Sequence, residues 1–195
     1  MTNTTATPEL IKNVDPDVIV VATGSEPLVP NIPGEENAVM ADDVLLGKAT
    51  VGENVVVVGG GFVGCETTLY LAQQGKKVTV VEALPEVAGD LEPVSKIALT
   101  RKGGLFEKYG ISIITNSPVV EIRNGEVVIV NKVGRRRSIS ADSIVIAVGR
   151  KPVIPEELIS EAKEVGKEVY IVGDAKVPRK VIDAIREGFS VAIDI

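Results

Sequence analysis

A glycine run of fixed spacing constrains this chain more than any other sequence feature. The segment GGGFVG at residues 59–64 matches the pattern G-x-G-x-x-G. A short apolar run, 54–58, precedes it, and apolar residues at helical spacing follow over 62–74, up to Gly75. In that setting the first glycine permits a tight turn, the second lets a bound group approach the backbone, and the third lets helix and strand pack closely. The pattern therefore predicts a strand, a tight turn and a helix.

An acidic residue stands where the next strand is predicted to end. Glu82 lies 18 residues after Gly64 and closes the stretch 77–82. A helix N-terminus offers N–H groups to phosphates, and an acid at the following strand end accepts hydrogen bonds from ribose hydroxyls. Because a carboxylate repels a 2′-phosphate and residues 83–85 supply no cation, we predict NAD(H) rather than NADP(H). The alternative is a glycine turn that only allows close packing.

The rest of the pattern predicts an α/β fold: a Rossmann-like parallel sheet with helices on both faces, plus a small antiparallel β-meander. We expect 17–24 to be a strand buried on both faces and 25–34, with three prolines, to be a loop. Asn124-Gly125 and Gly134 indicate the hairpins of the meander. Further strands are predicted at 111–115, 119–122, 126–130, 136–140, 143–148 and 168–172, and helices at 42–46, 93–109 and 181–195.

Composition excludes several kinds of chemistry. The chain has no histidine and one cysteine, so imidazole catalysis, an intrachain disulfide and a cysteine-ligated cluster are ruled out. We predict no catalytic side chain and no metal site, and we interpret Cys65 as a packing residue. The net charge of −6 argues against a nucleic-acid partner. Since the N-terminal residues lack a signal-peptide pattern and no apolar run could span a membrane, we expect a cytoplasmic protein with no membrane partner.

Four motifs in one order resemble flavoproteins with two dinucleotide-binding domains, of the pyridine-nucleotide-disulfide-oxidoreductase type. They are ATG at 22–24, GGGFVG at 59–64, VGRKP at 148–152 and VGD at 172–174. More narrowly, ADDVL at 41–45, GCET at 64–67 and IDAIREGF at 182–189 resemble the C-terminal part of the NADH:flavin oxidoreductases. That group includes 2,4-dienoyl-CoA reductase, 2-enoate reductase and trimethylamine dehydrogenase. The resemblance covers nearly the whole chain after Pro8.

The resemblance implies roles for individual residues. Thr23 and Gly24 would cross beside FAD, Asp174 would hydrogen-bond its ribityl chain, and Gly149 would close the NAD domain near the nicotinamide. Glu66 is either a residue near the nicotinamide or a plain acid on the helix surface. The predicted cofactor-binding residues are Gly59, Gly60, Gly61, Phe62, Val63, Gly64, Glu66, Glu82, Val148, Gly149, Thr23, Gly24 and Asp174.

The chain also departs from this family, because it carries one glycine fingerprint where an intact protein has two. We therefore expect a C-terminal fragment with an incomplete FAD half, in which 1–40 and 151–195 are partial FAD-domain segments. Residues 41–150 would form the NAD-binding domain, with the meander at about 117–140. In the intact protein NADH would pass hydride to FAD, while FMN and an iron–sulfur cluster would lie outside this chain.

Such a fragment would be inactive alone, and its partners would be NADH, FAD and the missing N-terminal portion. Unpaired FAD-domain surface would favour a homodimer or disorder. A non-catalytic NAD-binding module for sensing or docking is the main alternative. A complete small NAD-dependent dehydrogenase is the least supported interpretation, because no acid–base set for a substrate alcohol is visible.

Overall fold

Strands and helices alternate through most of the chain. The structure, a computed structural model, describes residues Met1–Ile195. The strands are β1 (Val18–Val21), β2 (Ser25–Pro27), β3 (Val39–Met40), β4 (Asn54–Val58), β5 (Lys77–Val81), β6 (Ser112–Ile114), β7 (Val119–Arg123), β8 (Glu126–Val130), β9 (Arg136–Ser140), β10 (Ser143–Ile146), β11 (Arg150–Pro152) and β12 (Glu168–Ile171). The α-helices are α1 (Pro8–Val14), α2 (Ala41–Leu45), α3 (Phe62–Gln73), α4 (Pro93–Thr100), α5 (Leu105–Lys108), α6 (Glu156–Glu164) and α7 (Val181–Asp194).

The chain divides into two units, which we call the central unit and the terminal unit. The central unit is Pro27–Gly149, and the terminal unit combines Met1–Glu26 with Arg150–Ile195. Strands β2 and β11 pair where the chain passes between the units. Both ends of the chain are therefore needed to build the terminal unit.

A five-stranded parallel sheet in the order β3-β10-β4-β5-β6 forms the centre of the central unit. The valines of β4 alternate between its two faces. Val55 and Val57 pack in one apolar cluster with Leu71 of α3, whereas Val56 and Val58 belong to a second cluster. Burial on both faces explains why β4 is a continuous apolar run, as the sequence predicts.

The second face of this sheet is covered by the meander rather than by a helix layer. Strands β7, β8 and β9 are antiparallel neighbours in that order, as predicted. Their side chains Ile122, Val127 and Ile129 are buried against Val56 and Val58. The hairpins of the meander present an apolar face of their own. On this face of the sheet they therefore stand in place of the helix layer that the sequence predicts.

The terminal unit has a smaller sheet, in which β1 pairs in parallel with β12. Its core combines Ile19 and Val21 with Leu158 and Ile159 of α6. The prediction that the first strand is buried on both faces is wrong, since Val20 is 45% exposed. The buried side chains of β1 point to the face that α6 covers, and Val20 lies on the other.

Several other elements differ from the predictions. The stretch 93–109 is two helices, because Gly103 has a φ of +73° and a Cβ on Gly104 would lie 2.8 Å from the Arg101 carbonyl oxygen. The predicted loop 25–34 contains the short strand β2, and the pattern does not predict α1 or α6. Helix α7 is present, but none of its residues is buried. None of the helices has the length and apolar character needed to cross a membrane.

Candidate functional site

Two glycines of the turn between β4 and α3 are required by the fold itself. Gly59 has a φ of +102°, and a Cβ there would lie 2.4 Å from the Ala147 carbonyl oxygen. A Cβ on Gly64 would lie 2.0 Å from the Gly59 carbonyl oxygen. Both clashes are with backbone, so neither position accepts a side chain without distortion. These contacts bring the start of α3 close against the turn.

Gly60 and Gly61, which lie between these two positions, have different surroundings. A Cβ on Gly60 would lie 2.6 Å from Val87 Cγ1, so that position is already filled by a side chain. Gly61 has an ordinary φ of −73°, and the three heavy atoms nearest to a Cβ there all belong to the Asp90 carboxylate group, with Oδ2 at 3.2 Å. Neither backbone conformation nor packing therefore requires glycine at position 61. The bare backbone at Gly61 is faced by the exposed carboxylate of Asp90 rather than by packed side chains.

Helix α3 begins at this open side of the turn. Phe62, its first residue, is 50% exposed, and Val63 is half-buried. Glu66 lies one turn further along and is exposed, and the structure assigns it no particular role. The first N–H groups of α3 lack partners within the helix, so the opening of the turn carries donors and partial positive charge.

Glu82 directly follows β5 and is bound to the glycine turn. Only 9% of the residue is exposed. Its Oε2 accepts a hydrogen bond from the Gly60 N–H at 2.6 Å, and its Oε1 accepts one from the Leu84 N–H at 2.7 Å. These bonds fix the carboxylate beside the turn, and each oxygen retains further lone pairs for a ligand.

The end of β10 also contributes to this site. A Cβ on Gly59 would lie 3.2 Å from Val148 Cα, which places Val148 beside the turn. Gly149 follows with a φ of +128° in open space, and its carbonyl oxygen accepts a hydrogen bond from the Leu28 N–H at 2.9 Å. The structure thus brings Val148 together with the glycine turn, although the two lie far apart in sequence.

Asp90 is a residue of this site that sequence reasoning missed. Its Oδ2 accepts a hydrogen bond from the Phe62 N–H, at the start of α3, at 2.9 Å. No spacing rule connects the two positions, because the contact depends on how the segment after Glu82 turns back. The one available signal is an acid shortly after a fingerprint strand, which is common on any surface.

Cys65 is buried under the turn. The residue is fully inaccessible, and its Sγ donates to the Gly60 carbonyl oxygen at 3.2 Å. Burial raises the pKa of the thiol to about 11, and the nearby Asp90 and Glu82 carboxylates add to the effect. The thiol is therefore neutral and packs as a small apolar residue, in line with its interpretation from sequence.

The predicted FAD contacts gather in the terminal unit. Ser25 Oγ donates to Asp174 Oδ2 at 3.0 Å, and the Arg150 guanidinium donates to both Ser25 Oγ and the Ser25 carbonyl oxygen. Thr23 and Gly24 immediately precede Ser25, so the structure brings them close to Asp174. Sequence reasoning did not single out Ser25 or Arg150, although Arg150 lies in the VGRKP motif that carries the resemblance.

The loop that holds Asp174 is also tied to α7. Glu187 of α7 accepts a hydrogen bond from the Gly173 N–H at 2.7 Å and pairs with Arg179. These partners lower the pKa of Glu187, with the backbone N–H as the main cause. Asp174 itself is half-buried and also accepts from the Arg179 N–H. Its carboxylate is thus held in one place by two donors.

Comparison with known proteins identifies the family and the fold of this chain. The sequence model of the pyridine nucleotide-disulphide oxidoreductases matches residues 6–188. NADH oxidase from Thermoanaerobacter brockii is 43% identical over 98% of this chain, and cinnamate reductase from Clostridium sporogenes is 33% identical over 99% of it. A solved 2-naphthoyl-CoA reductase complex superposes with a TM-score of 0.85 at 34% identity over 99% of this chain.

The chain spans only part of each of these proteins. It covers 30% of the NADH oxidase, 29% of the cinnamate reductase and 29% of the 2-naphthoyl-CoA reductase. Histamine dehydrogenase from Rhizobium sp. 4-9 has the same fold, with a TM-score of 0.79 at 22% identity, and the chain covers 32% of it. The similarity therefore describes one portion of larger proteins.

Proposed function

Since the chain belongs to the pyridine nucleotide-disulphide oxidoreductase family and resembles flavin oxidoreductases, we propose a role for its central unit. In this proposal the central unit binds NAD(H) for hydride transfer to FAD. Flavin and nicotinamide cofactors are the ones that this family and these relatives imply. The proposal assigns the nicotinamide dinucleotide to the glycine turn and FAD to the terminal unit.

The observation that carries the proposal is the bare backbone at Gly61. The fold explains the glycines at 59 and 64, but it does not explain the one at 61. A pyrophosphate that approaches the start of α3 does explain it, since a side chain there would occupy the approach. The residues present therefore fit a dinucleotide.

Glu82 is proposed to select the cofactor. Its carboxylate is fixed by the Gly60 and Leu84 N–H groups, so it cannot easily turn away from a ligand. Fixed in this way, it accepts hydrogen bonds from the ribose hydroxyls of NAD(H) and repels the 2′-phosphate of NADP(H).

The terminal unit is proposed as part of an FAD-binding half. Asp174, held by Ser25 and by the Arg179 N–H, offers a carboxylate to the ribityl hydroxyls, and Thr23-Gly24 forms the adjoining backbone. Helix α7 has no buried residue, which supports a further protein surface against it. We assign that surface to the part of the larger relatives that this chain does not span, and a second copy of the chain is the alternative.

When bound, the cofactors would supply the redox chemistry, which is hydride transfer from nicotinamide to flavin. The residues of this chain would bind and orient them. The glycine turn and the start of α3 would hold the phosphates, and Glu82 would hold the ribose. An FMN and an iron–sulfur cluster, with the substrate pocket, are assigned to the remaining length of a larger protein, so the chain alone is expected to bind NADH without turning it over.

A comparison of two glycine variants tests the dinucleotide site. We expect Gly61→Ala to keep the free energy of unfolding within about 0.5 kcal/mol of the parent, because the atoms nearest its Cβ belong to the exposed carboxylate of Asp90. The Kd for NADH should rise at least about tenfold, equivalent to about 1.4 kcal/mol. Gly64→Ala should instead lower stability by roughly 1–3 kcal/mol. Fluorescence titration with NADH and chemical denaturation measure the two quantities.

Gly188→Ala is the matched control, because a Cβ there meets nothing within 4 Å and the residue lies on α7. It should leave the Kd for NADH unchanged and raise stability by at most about 1 kcal/mol, because alanine is favoured over glycine in a helix interior. Unchanged NADH binding by Gly61→Ala would contradict the proposed phosphate approach.

Cofactor selectivity is tested by titrating the same protein with NADPH. We expect a Kd for NADPH at least about tenfold above that for NADH, because in the proposed site the Glu82 carboxylate would repel the 2′-phosphate. Glu82→Gln keeps an oxygen for the Gly60 N–H and removes the charge, so it should narrow the gap between the two cofactors. Equal affinities in the parent protein would refute the assigned role of Glu82.

A further inference from the structure

A carboxylate covers the N-terminus of α3. Asp90 Oδ2 accepts from the Phe62 N–H at 2.9 Å, and the same oxygen lies 3.2 Å from the position of a Cβ on Gly61. Phe62 begins the helix, so its N–H is one of those without a partner inside α3. Asp90 thus uses both the donor and the space that a dinucleotide phosphate would need.

The backbone that carries Asp90 is anchored, whereas its side chain is free to turn. The Ala88 N–H donates to the Gly60 carbonyl oxygen at 2.6 Å, and Ala88 is fully buried with a φ of +57°, which turns the chain back toward α3. Asp90 itself is exposed. Rotation about its side-chain bonds can therefore move the carboxylate into water while the backbone stays in place.

The two carboxylates at the turn differ in this respect. Glu82 is 9% exposed and bonded through both oxygens, so it remains in place when a ligand arrives. Asp90 holds the helix through one hydrogen bond at an exposed position, where an anion at a helix N-terminus is only weakly favourable. Asp90 is the carboxylate that a ligand can displace.

A phosphate and the Asp90 carboxylate cannot share this position, because both are anions that accept from the same N–H. We propose that the Asp90 carboxylate competes with the dinucleotide phosphates for the start of α3. It leaves this position when NAD(H) binds, and this competition sets the affinity of the protein for NAD(H). This inference rests on the proposed function and adds an affinity-determining residue to that site.

Charge removal at Asp90 provides the test. Asp90→Asn keeps an oxygen acceptor but no charge, and Asp90→Ala removes both. We expect each to lower the Kd for NADH by about tenfold in low salt, with a smaller gain at high salt. Glu86→Gln is the control, since it removes one charge from the same segment and Glu86 pairs with Lys96 of α4 rather than with the start of α3. It should change the Kd less than twofold. Adenosine, which has no phosphate, should bind all four proteins alike.

The results separate this inference from the proposed function. If the parent binds NADH and Asp90→Asn has an unchanged or raised Kd, the inference alone is overturned. Asp90 would then be a simple helix cap. No NADH binding by any of the four proteins would overturn the proposed function and the inference with it. Binding by the Asp90 variants but not by the parent would support the inference in its strongest form.

Discussion

Neighbouring residues of the glycine turn are constrained by different parts of their surroundings. Gly59 is fixed by backbone conformation and Gly64 by the carbonyl oxygen beneath it. Gly61 has neither constraint, and a Cβ there would instead crowd the Asp90 carboxylate, at 3.2 Å from Oδ2. Sequence pattern assigns the same three roles, but it cannot show which glycines the fold would tolerate losing, because that depends on atoms brought in from β10 and from the segment after β5.

At the same scale, Cys65 predicts a pH dependence of stability. Its pKa is raised from 9.0 to about 11 in the folded protein, mainly by burial. Between these two values the unfolded chain has lost the thiol proton and the folded chain has kept it. The contribution of Cys65 to the free energy of unfolding is therefore fully present below pH 9. As the pH rises toward 11, this contribution falls by about 1.4 kcal/mol per pH unit.

Chemical denaturation of the parent and of Cys65→Ser at a series of pH values measures this effect. Serine keeps a donor for the Gly60 carbonyl oxygen and does not titrate in this range. Other groups contribute equally to both proteins, so the difference in slope reports Cys65 alone. Parallel curves for the two proteins would show that the folded state accommodates the thiolate.

Among the elements, those predicted best have a complete local signal. β4, α3 and β5 are found within one residue of their predicted bounds, because each has its own periodicity and Gly75 stops the helix with a φ of +84°. Helix α6 is missed because much of its burial comes from Ile19 and Val21 of β1, at the other end of the chain. Local pattern cannot report a partner at that distance.

Helix α7 is present where its apolar spacing predicts a helix. Its apolar residues Ile182, Ile185 and Phe189 are 47%, 60% and 68% exposed, as expected of an unpaired surface. The periodicity records a need for burial but does not say what supplies it. The resemblance to larger flavoproteins is what supports an external surface as the missing cover. The contact between Asp90 and α3 is missed for another reason, since it arises from a loop without periodicity.

For the whole molecule, separate cores predict separate unfolding. The central unit has three clusters of buried apolar side chains, whereas the terminal unit has one, formed by six buried residues. Since no residue of α7 is buried, that helix adds little to the smaller core. We therefore expect the terminal unit to unfold first.

Hydrogen exchange along a denaturant series, read by mass spectrometry on peptides from each unit, measures this order. Ile159→Ala, in the core of the terminal unit, should lower the transition of residues 1–26 and 150–195 by about 2–5 kcal/mol and leave 27–149 unchanged. NADH at a hundred times its Kd should raise only the central unit, by about 2.7 kcal/mol, because the ligand binds the folded glycine turn. If the two units instead showed a single transition, shifted by both Ile159→Ala and NADH, the two cores would unfold as one. A ligand at the glycine turn would then stabilise Asp174 and its neighbours as well.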